Sequence, residues 1–354
     1  MSNLKFNIQR ILKRLDRSLS GPIVEFSEQF LYGHREILID HSGLSSKSLI
    51  KGSVEHGWAL DSGRGIKKLT RGRYLYLSWS QARILRSNVN DATTVSIGAP
   101  FIYAYEKVLA HIEEYQKNNP LDGSKILFFP VHGNEYSQQN PESQIALFSE
   151  KYEPKNATVC LYWVEYINPI IYNLYKKQGF RIVCAGFSGQ MEHTGLGYSA
   201  RKLAGSPIGG RPNFILNSIA ILAMHSKIVF GGLGTGLFYA AYMRKDVDVL
   251  HKYLTTTFLD MDSELGTSFD AHPQEVRYVS FVADYMNCRF DEIDFNSEKF
   301  RDLADLELGR ESKKSSQELR EILGSYIDES ANPQSLSVYQ ETAQNFQSLL
   351  EHYK

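Results

Sequence analysis

Two histidines stand beside glycines in segments that read as strand-to-loop transitions. One lies in Val54-Glu55-His56-Gly57-Trp58, followed by Asp61; the other lies in Pro130-Val131-His132-Gly133-Asn134-Glu135. A histidine with a nearby carboxylate is the usual means of removing a proton from a hydroxyl near neutral pH. His56 and His132 are therefore the candidate general bases, with Asp61 and Glu135 as the carboxylates that orient them. A purely structural histidine is the competing reading at both places.

A different chemistry follows the apolar run Lys227–Phe230. Gly231, Gly232, Leu233, Gly234, Thr235 and Gly236 come next, and a helical pattern begins at Leu237. A strand, a glycine-rich turn and a helix start present free backbone N–H groups at one spot, backed by the helix dipole, which suits a phosphate or carboxylate. No lysine follows the last glycine, so this is not a P-loop, and the spacing is not that of the dinucleotide fingerprint. The alternative is a tight turn in which glycine permits close packing. Gly232, Gly234, Thr235 and Gly236 are the candidate phosphate-binding residues. Gly186 and Ser188, after the run Arg181–Ala185, and Arg211 in a later glycine-rich stretch are expected to overhang the same crevice. Glu165, after Thr158–Trp163, is either an acceptor for ribose hydroxyls or a surface carboxylate. The basic run Arg64, Lys67, Lys68, Arg71 and Arg73 suits a phosphate or a solvated surface equally. No zinc spacing occurs among the histidines and cysteines. Asp260-Met261-Asp262 has the DxD form of some sugar-nucleotide enzymes, but 40 acidic residues supply such triplets by chance. No metal or cofactor is expected.

The elements that must position these residues alternate from residue 35 to 250. Short apolar runs (Glu36–Ile39, Tyr74–Ser78, Thr94–Ile97, Lys125–Pro130, Thr158–Trp163, Arg181–Ala185, Lys227–Phe230, Val247–Leu250) are separated by amphipathic stretches such as Ala104–Lys117, Pro169–Gln178 and Asn213–His225. That pitch predicts βαβ units and mostly parallel sheets. The fold class expected is α/β, with two Rossmann-like domains facing a central cleft and C-terminal helices. The polar segment Ser149–Asn156 marks the boundary, giving domains at 1–152 and 153–300 and a helical tail at 301–354. The tail either packs on the outside or crosses back to the first domain.

Length and charge agree with this. The chain has 354 residues, enough for two domains, and a formal net charge of -1, which argues against a general nucleic-acid binder. Cys160, Cys184 and Cys288 make no paired framework, so a reducing cytoplasm is expected. No run of eighteen apolar residues occurs. Residues 1–20 place Lys5, Arg10, Lys13, Arg14 and Arg17 against Asp16 alone, with Leu4, Ile8, Ile11, Leu12, Leu15 and Leu19 at helical spacing. Such a helix suits the anionic headgroup layer of the inner membrane, making the protein peripheral there. The alternative is a first helix docked on the protein's own core.

The two α/β halves, with a glycine loop in the second and histidine–carboxylate loops in the first, resemble the GT-B glycosyltransferase fold. The phrases HGW (56–58), GAPFIY (98–103), FPVHGNE (129–135), LYWVEY (161–166), GFRIVCAG (179–186) and SKIVFGGLGTGLFYAAYM (226–243) look like those of bacterial surface-polysaccharide biosynthesis proteins, over roughly residues 30–250. The resemblance implies a metal-independent sugar transferase acting on capsule, lipopolysaccharide O-antigen or another glycan. Its C-terminal domain would bind the nucleotide-sugar donor and its N-terminal domain the glycan or lipid-linked acceptor. Sialyltransferases and Kdo transferases of this architecture carry an HP motif; here the one HP, His272-Pro273, follows the glycine loop instead of preceding it, so CMP-linked and UDP-linked donors both remain open. A sugar-nucleotide epimerase, a pyruvyl or glycerophosphate transferase and a non-enzymatic assembly scaffold are the alternatives.

Overall fold

The computed structural model describes residues 32–45, 47–55, 57, 58, 60, 75–87, 94–121, 125–131, 141–186, 213–250, 274–328 and 334–354. The expectations for residues 1–20, the basic run 64–73, Asp260–Asp262 and His272-Pro273 lie outside these residues, as do His56, Asp61, His132, Glu135, Ser188 and Arg211.

Two parallel sheets organise the described residues. Leu49–Ile50 (β1) passes through Lys51 into Gly52–Val54 (β2), which pairs with Leu75–Ser78 (β3), and β3 pairs in turn with Thr94–Ser96 (β4). The second sheet contains Ile126–Phe129 (β5), Ala157–Cys160 (β6), Arg181–Val183 (β7), Lys227–Phe230 (β8) and Asp246–Val249 (β9), ordered β7-β6-β5-β8-β9 and parallel throughout. Its inner strands β5, β6 and β8 are mostly apolar because helices cover both faces, and Leu127, Phe128, Val159, Ile228 and Val229 are fully buried, whereas the edge strand β9 alternates Asp and Val. The order reverses between β5 and β8. In a doubly wound sheet that reversal opens a crevice at the carboxyl ends of the strands.

The helices are α1 (His34–Ser42), α2 (Gln81–Ser87), α3 (Pro100–Asn118), α4 (Pro141–Ser149), α5 (Pro169–Lys177), α6 (Phe214–Ala223), α7 (Thr235–Tyr242), α8 (Gln274–Met286), α9 (Glu298–Leu308), α10 (Ser316–Gly324), α11 (Gln334–Gln344) and α12 (Phe346–Tyr353), with a single helical turn at Trp163–Tyr166. The run 36–39, expected as a strand, lies inside α1. Its three apolar residues are flanked by His34, Arg35 and Glu36, which are buried as well, so the helical period is invisible in the hydropathy.

The expected boundary at residue 152 falls within the second sheet. β5, assigned by sequence to the first domain, is that sheet's central strand, and the polar segment 149–156 is the surface return from α4 through a 3-10 turn at Pro154–Asn156 into β6. Parallel neighbours need such a crossover. The sheets divide instead between β4 and β5, where α3 lies.

The tail crosses back. Ile327–Asp328 (β10) pairs antiparallel with β1, the Ala99 N–H donates to the Leu308 carbonyl (2.7 Å), and the Lys51 N–H donates to the Tyr326 carbonyl (2.6 Å). One apolar cluster runs through both sheets and includes Phe300, Leu303, Leu308, Leu319, Leu323, Phe346 and Leu350 from the tail. A second cluster around Phe128, Phe148, Tyr175 and Phe180 fills the space under α4 and α5. Ser315 and Glu318 close a reciprocal cap on α10, the Ser-x-x-Glu pattern that starts many helices. Among the described residues no helix is long and apolar enough to cross a membrane.

Candidate functional site

At the reversal, the ends of β5 and β8 are locked together. The Gly231 N–H donates to the Phe129 carbonyl (2.8 Å). Gln144 of α4, 1% exposed, accepts from the Val131 N–H (2.6 Å) and donates to the Val131 carbonyl (2.9 Å). A Cβ on Gly231 would stand 2.8 Å from Gln144 Oε1 and 2.9 Å from Val131 N, so this glycine serves packing. Gly234 differs. Its backbone is extended, and a Cβ there would meet nothing within 4 Å among the described residues. Close packing thus accounts for Gly231, whereas at Gly234 none of the described residues requires a glycine for space.

The loop runs into α7. Residues 232–236 are half-buried, and none of the main-chain N–H groups from Gly232 to Gly236 has an acceptor among the described residues. Unspent donors at a helix start, with the positive end of the dipole behind them, favour an anion.

The first sheet reaches the same place. At the carboxyl end of β2, Glu55 is 3% exposed and fully engaged: Oε1 accepts from Arg83 Nε (3.0 Å) and Nη2 (2.7 Å), while Oε2 accepts from Ser78 Oγ (2.9 Å) and the Trp79 N–H (2.8 Å). Arg83 also donates to the Gly57 carbonyl (3.0 Å). Burial opposes the Arg83 cation, but Glu55 and Glu307 outweigh it and push its pKa up. Trp58 is held at three polar atoms. Its main-chain N–H donates to Thr235 Oγ1 (2.7 Å), its indole N–H donates to Glu307 Oε2 (2.7 Å), and its carbonyl accepts from the Tyr278 hydroxyl (3.4 Å). Its ring packs on Phe238 (4.5 Å) and Tyr278 (4.4 Å). Glu307, fully buried, is shared with Arg86, which donates to both carboxylate oxygens (2.9 and 2.8 Å).

The structure therefore brings the residues flanking His56 to the first turn of α7, although 177 positions separate Trp58 from Thr235. His132 follows Val131, whose peptide Gln144 fixes at the end of β5; its segment was expected on the first domain, but it leaves a strand of the sheet that carries the glycine loop. Glu165 and Gly186 go elsewhere. Glu165 Oε2 accepts from the Tyr162 N–H (3.3 Å), capping the turn after β6. Gly186 is buried in a left-handed turn after the edge strand β7, its N–H directed at Cys184 Sγ (3.4 Å). Burial pushes both the Cys160 and Cys184 thiols up, away from reactivity. Sequence reasoning passed over Gln144, Arg83 and Glu307, which carry no motif; Trp58 stood in plain view in the HGW phrase. Comparison with protein families, curated proteins and solved structures returns no match for this chain.

Proposed function

We propose that this chain is a glycosyltransferase with two lobes in a GT-B-like arrangement, moving a sugar from a CMP- or UDP-linked donor to a hydroxyl of a glycan or lipid-linked acceptor in bacterial surface polysaccharide synthesis. The observation that carries this reading is the run of unspent N–H groups at Gly232–Gly236, beside open space at Gly234, at the strand reversal of the second sheet. Glycosyl transfer breaks the bond between the anomeric carbon and a phosphate oxygen, and the electron pair leaves on that oxygen. Fixed main-chain donors and a helix dipole stabilise the charge as it develops. The acceptor hydroxyl gives its proton to His56 or His132 as its oxygen attacks the anomeric carbon. Asp61 or Glu135 orients the imidazole. The reading needs no metal step.

A thermal-shift panel of CMP, UDP, GDP and their sugars, with and without magnesium, tests it. One nucleotide series stabilises the fold, by about 2.7 kcal/mol at a hundredfold excess over Kd. Gly234→Val weakens that nucleotide at least about tenfold without lowering the melting temperature, because the side chain enters open space where the ligand stands. Gly231→Ala lowers the melting temperature instead. With donor and acceptor supplied, His56→Ala or His132→Ala abolishes transfer and leaves nucleotide affinity nearly unchanged. A flat thermal response to every nucleotide points to the scaffold reading, and conversion of donor alone points to the epimerase.

A further inference from the structure

We infer that the two sheets and their helices form one rigid body, so that a ligand enters past the loops at the strand ends instead of by rotation of one lobe on the other. Such rigidity is independent of the glycosyltransferase reading, and within it fixes the width of the central cleft. Lobes that share a small or polar interface move on one another by default, and a large apolar interface removes that freedom. Here the junction is apolar. Phe101 of α3 stacks on Tyr239 of α7 at 3.8 Å, and Trp58, beyond the end of β2, packs on Phe238 of α7 at 4.5 Å. Phe101, Phe238 and Phe300 are fully buried and belong to the one apolar cluster that runs through both sheets. Rotation would part these rings and expose them to water.

The C-terminal elements cross the junction repeatedly, as a strap. α9 lays Phe300 on Phe238 (5.8 Å), beside the second sheet, while its Glu307 holds Arg86 of α2, beside the first, at 2.9 and 2.8 Å. β10 returns to β1. Gln340 of α11 donates to Asp40 of α1 (2.9 Å), and two residues later Thr342 accepts from Asn213 at the head of α6 (2.7 Å). The Tyr353 hydroxyl of α12 donates to the Cys184 carbonyl beyond β7 (3.2 Å). A hinge between the sheets would strain each of these ties, and losing Arg86 would leave the buried Glu307 carboxylate without its cation.

Pulsed dipolar spectroscopy between nitroxides on Leu85→Cys of α2 and Ile170→Cys of α5 measures this in the full chain, since both sites are exposed (64% and 80%). Cys184→Ser and Cys288→Ser remove the half-buried thiols. The free chain gives one distance peak, no wider than that of a pair beside the second sheet alone, Ile170→Cys with the exposed Lys155→Cys. Bound pyrophosphate, CMP or UDP moves its centre by less than about 2 Å, the range of pre-organised proteins. A broad or two-peaked distribution in the free chain, or a larger shift with any bound probe, overturns the rigid body. A probe that binds and shifts the peak leaves the nucleotide-sugar reading standing. If none of the three probes binds, that reading falls, and the free-chain distribution still decides the rigid body.

Discussion

His225 carries an acid limit for the fold. It is buried after α6, and its Nδ1 donates to the Ile221 carbonyl at 2.7 Å. Burial lowers its pKa to about 4, the Ile221 hydrogen bond opposes this in part, and the cations Arg181, Lys245 and Lys125 add to the depression. An unfolded histidine titrates near 6.5, so between about pH 6.5 and 4 the unfolded chain binds a proton that the native state refuses. Stability is therefore intact above pH 6.5 and falls on acidification through that window, by up to about 3 kcal/mol. Denaturant unfolding at pH 7 and pH 4.5 checks this; His225→Gln flattens the difference. Residue types were a fair guide to the candidate site and a poor guide to roles within it. The glycine loop was legible because glycines after an apolar run must do something special. Which glycine packs and which faces open space depends on Gln144 and Val131, far away in sequence. Glu307 sits in a tail rich in charge and reads as solvated, yet it is buried.

At the scale of elements, α9 acts as a strut. Glu307 ties α9 both to Arg86 of α2 and to Trp58 at the end of β2. Removing one partner from such a buried network leaves the others uncompensated. Glu307→Ala is expected to cost about 3 kcal/mol by equilibrium unfolding and to speed amide exchange at Trp58 as well as in α2. Most elements were legible: seven of the eight apolar runs contain strands, because sheets covered on both faces demand continuous hydrophobicity. β1 and β2 are missing from those runs because Lys51 and Gly52 interrupt a stretch only six residues long, although the strand-to-loop transition at Val54 marked where β2 ends. The boundary failed for a different reason. Local polarity reports that a segment is on the surface, whereas domain membership depends on which strands pair, and strand pairing is invisible to local composition.

For the whole molecule, the tail is part of the core. Truncation after residue 297 removes α9–α12 and with them Phe300, Leu303, Leu319, Phe346 and Leu350, all fully buried. At roughly 2 kcal/mol for each such side chain, the loss approaches or exceeds the stability of an ordinary fold. Calorimetry of the truncated chain should show no cooperative transition, and the full chain should show one. The second sheet also has a polarity. Lys245 donates to the Ala223 and His225 carbonyls (both 3.0 Å), and Arg181 donates to the Lys354 carbonyl, so cations satisfy chain ends at the amino edge while the unspent N–H groups gather at the carboxyl edge. The pairing of β1 with β10 has a further consequence, for synthesis. β1, which continues through Lys51 into the first sheet, finds its partner about 280 residues after it leaves the ribosome, a wait of roughly fifteen to fifty-five seconds at ordinary translation speeds. Throughout that interval the nascent β1 offers open main-chain groups to any passing strand. The second sheet, complete by residue 249, is free to assemble before β10 is made.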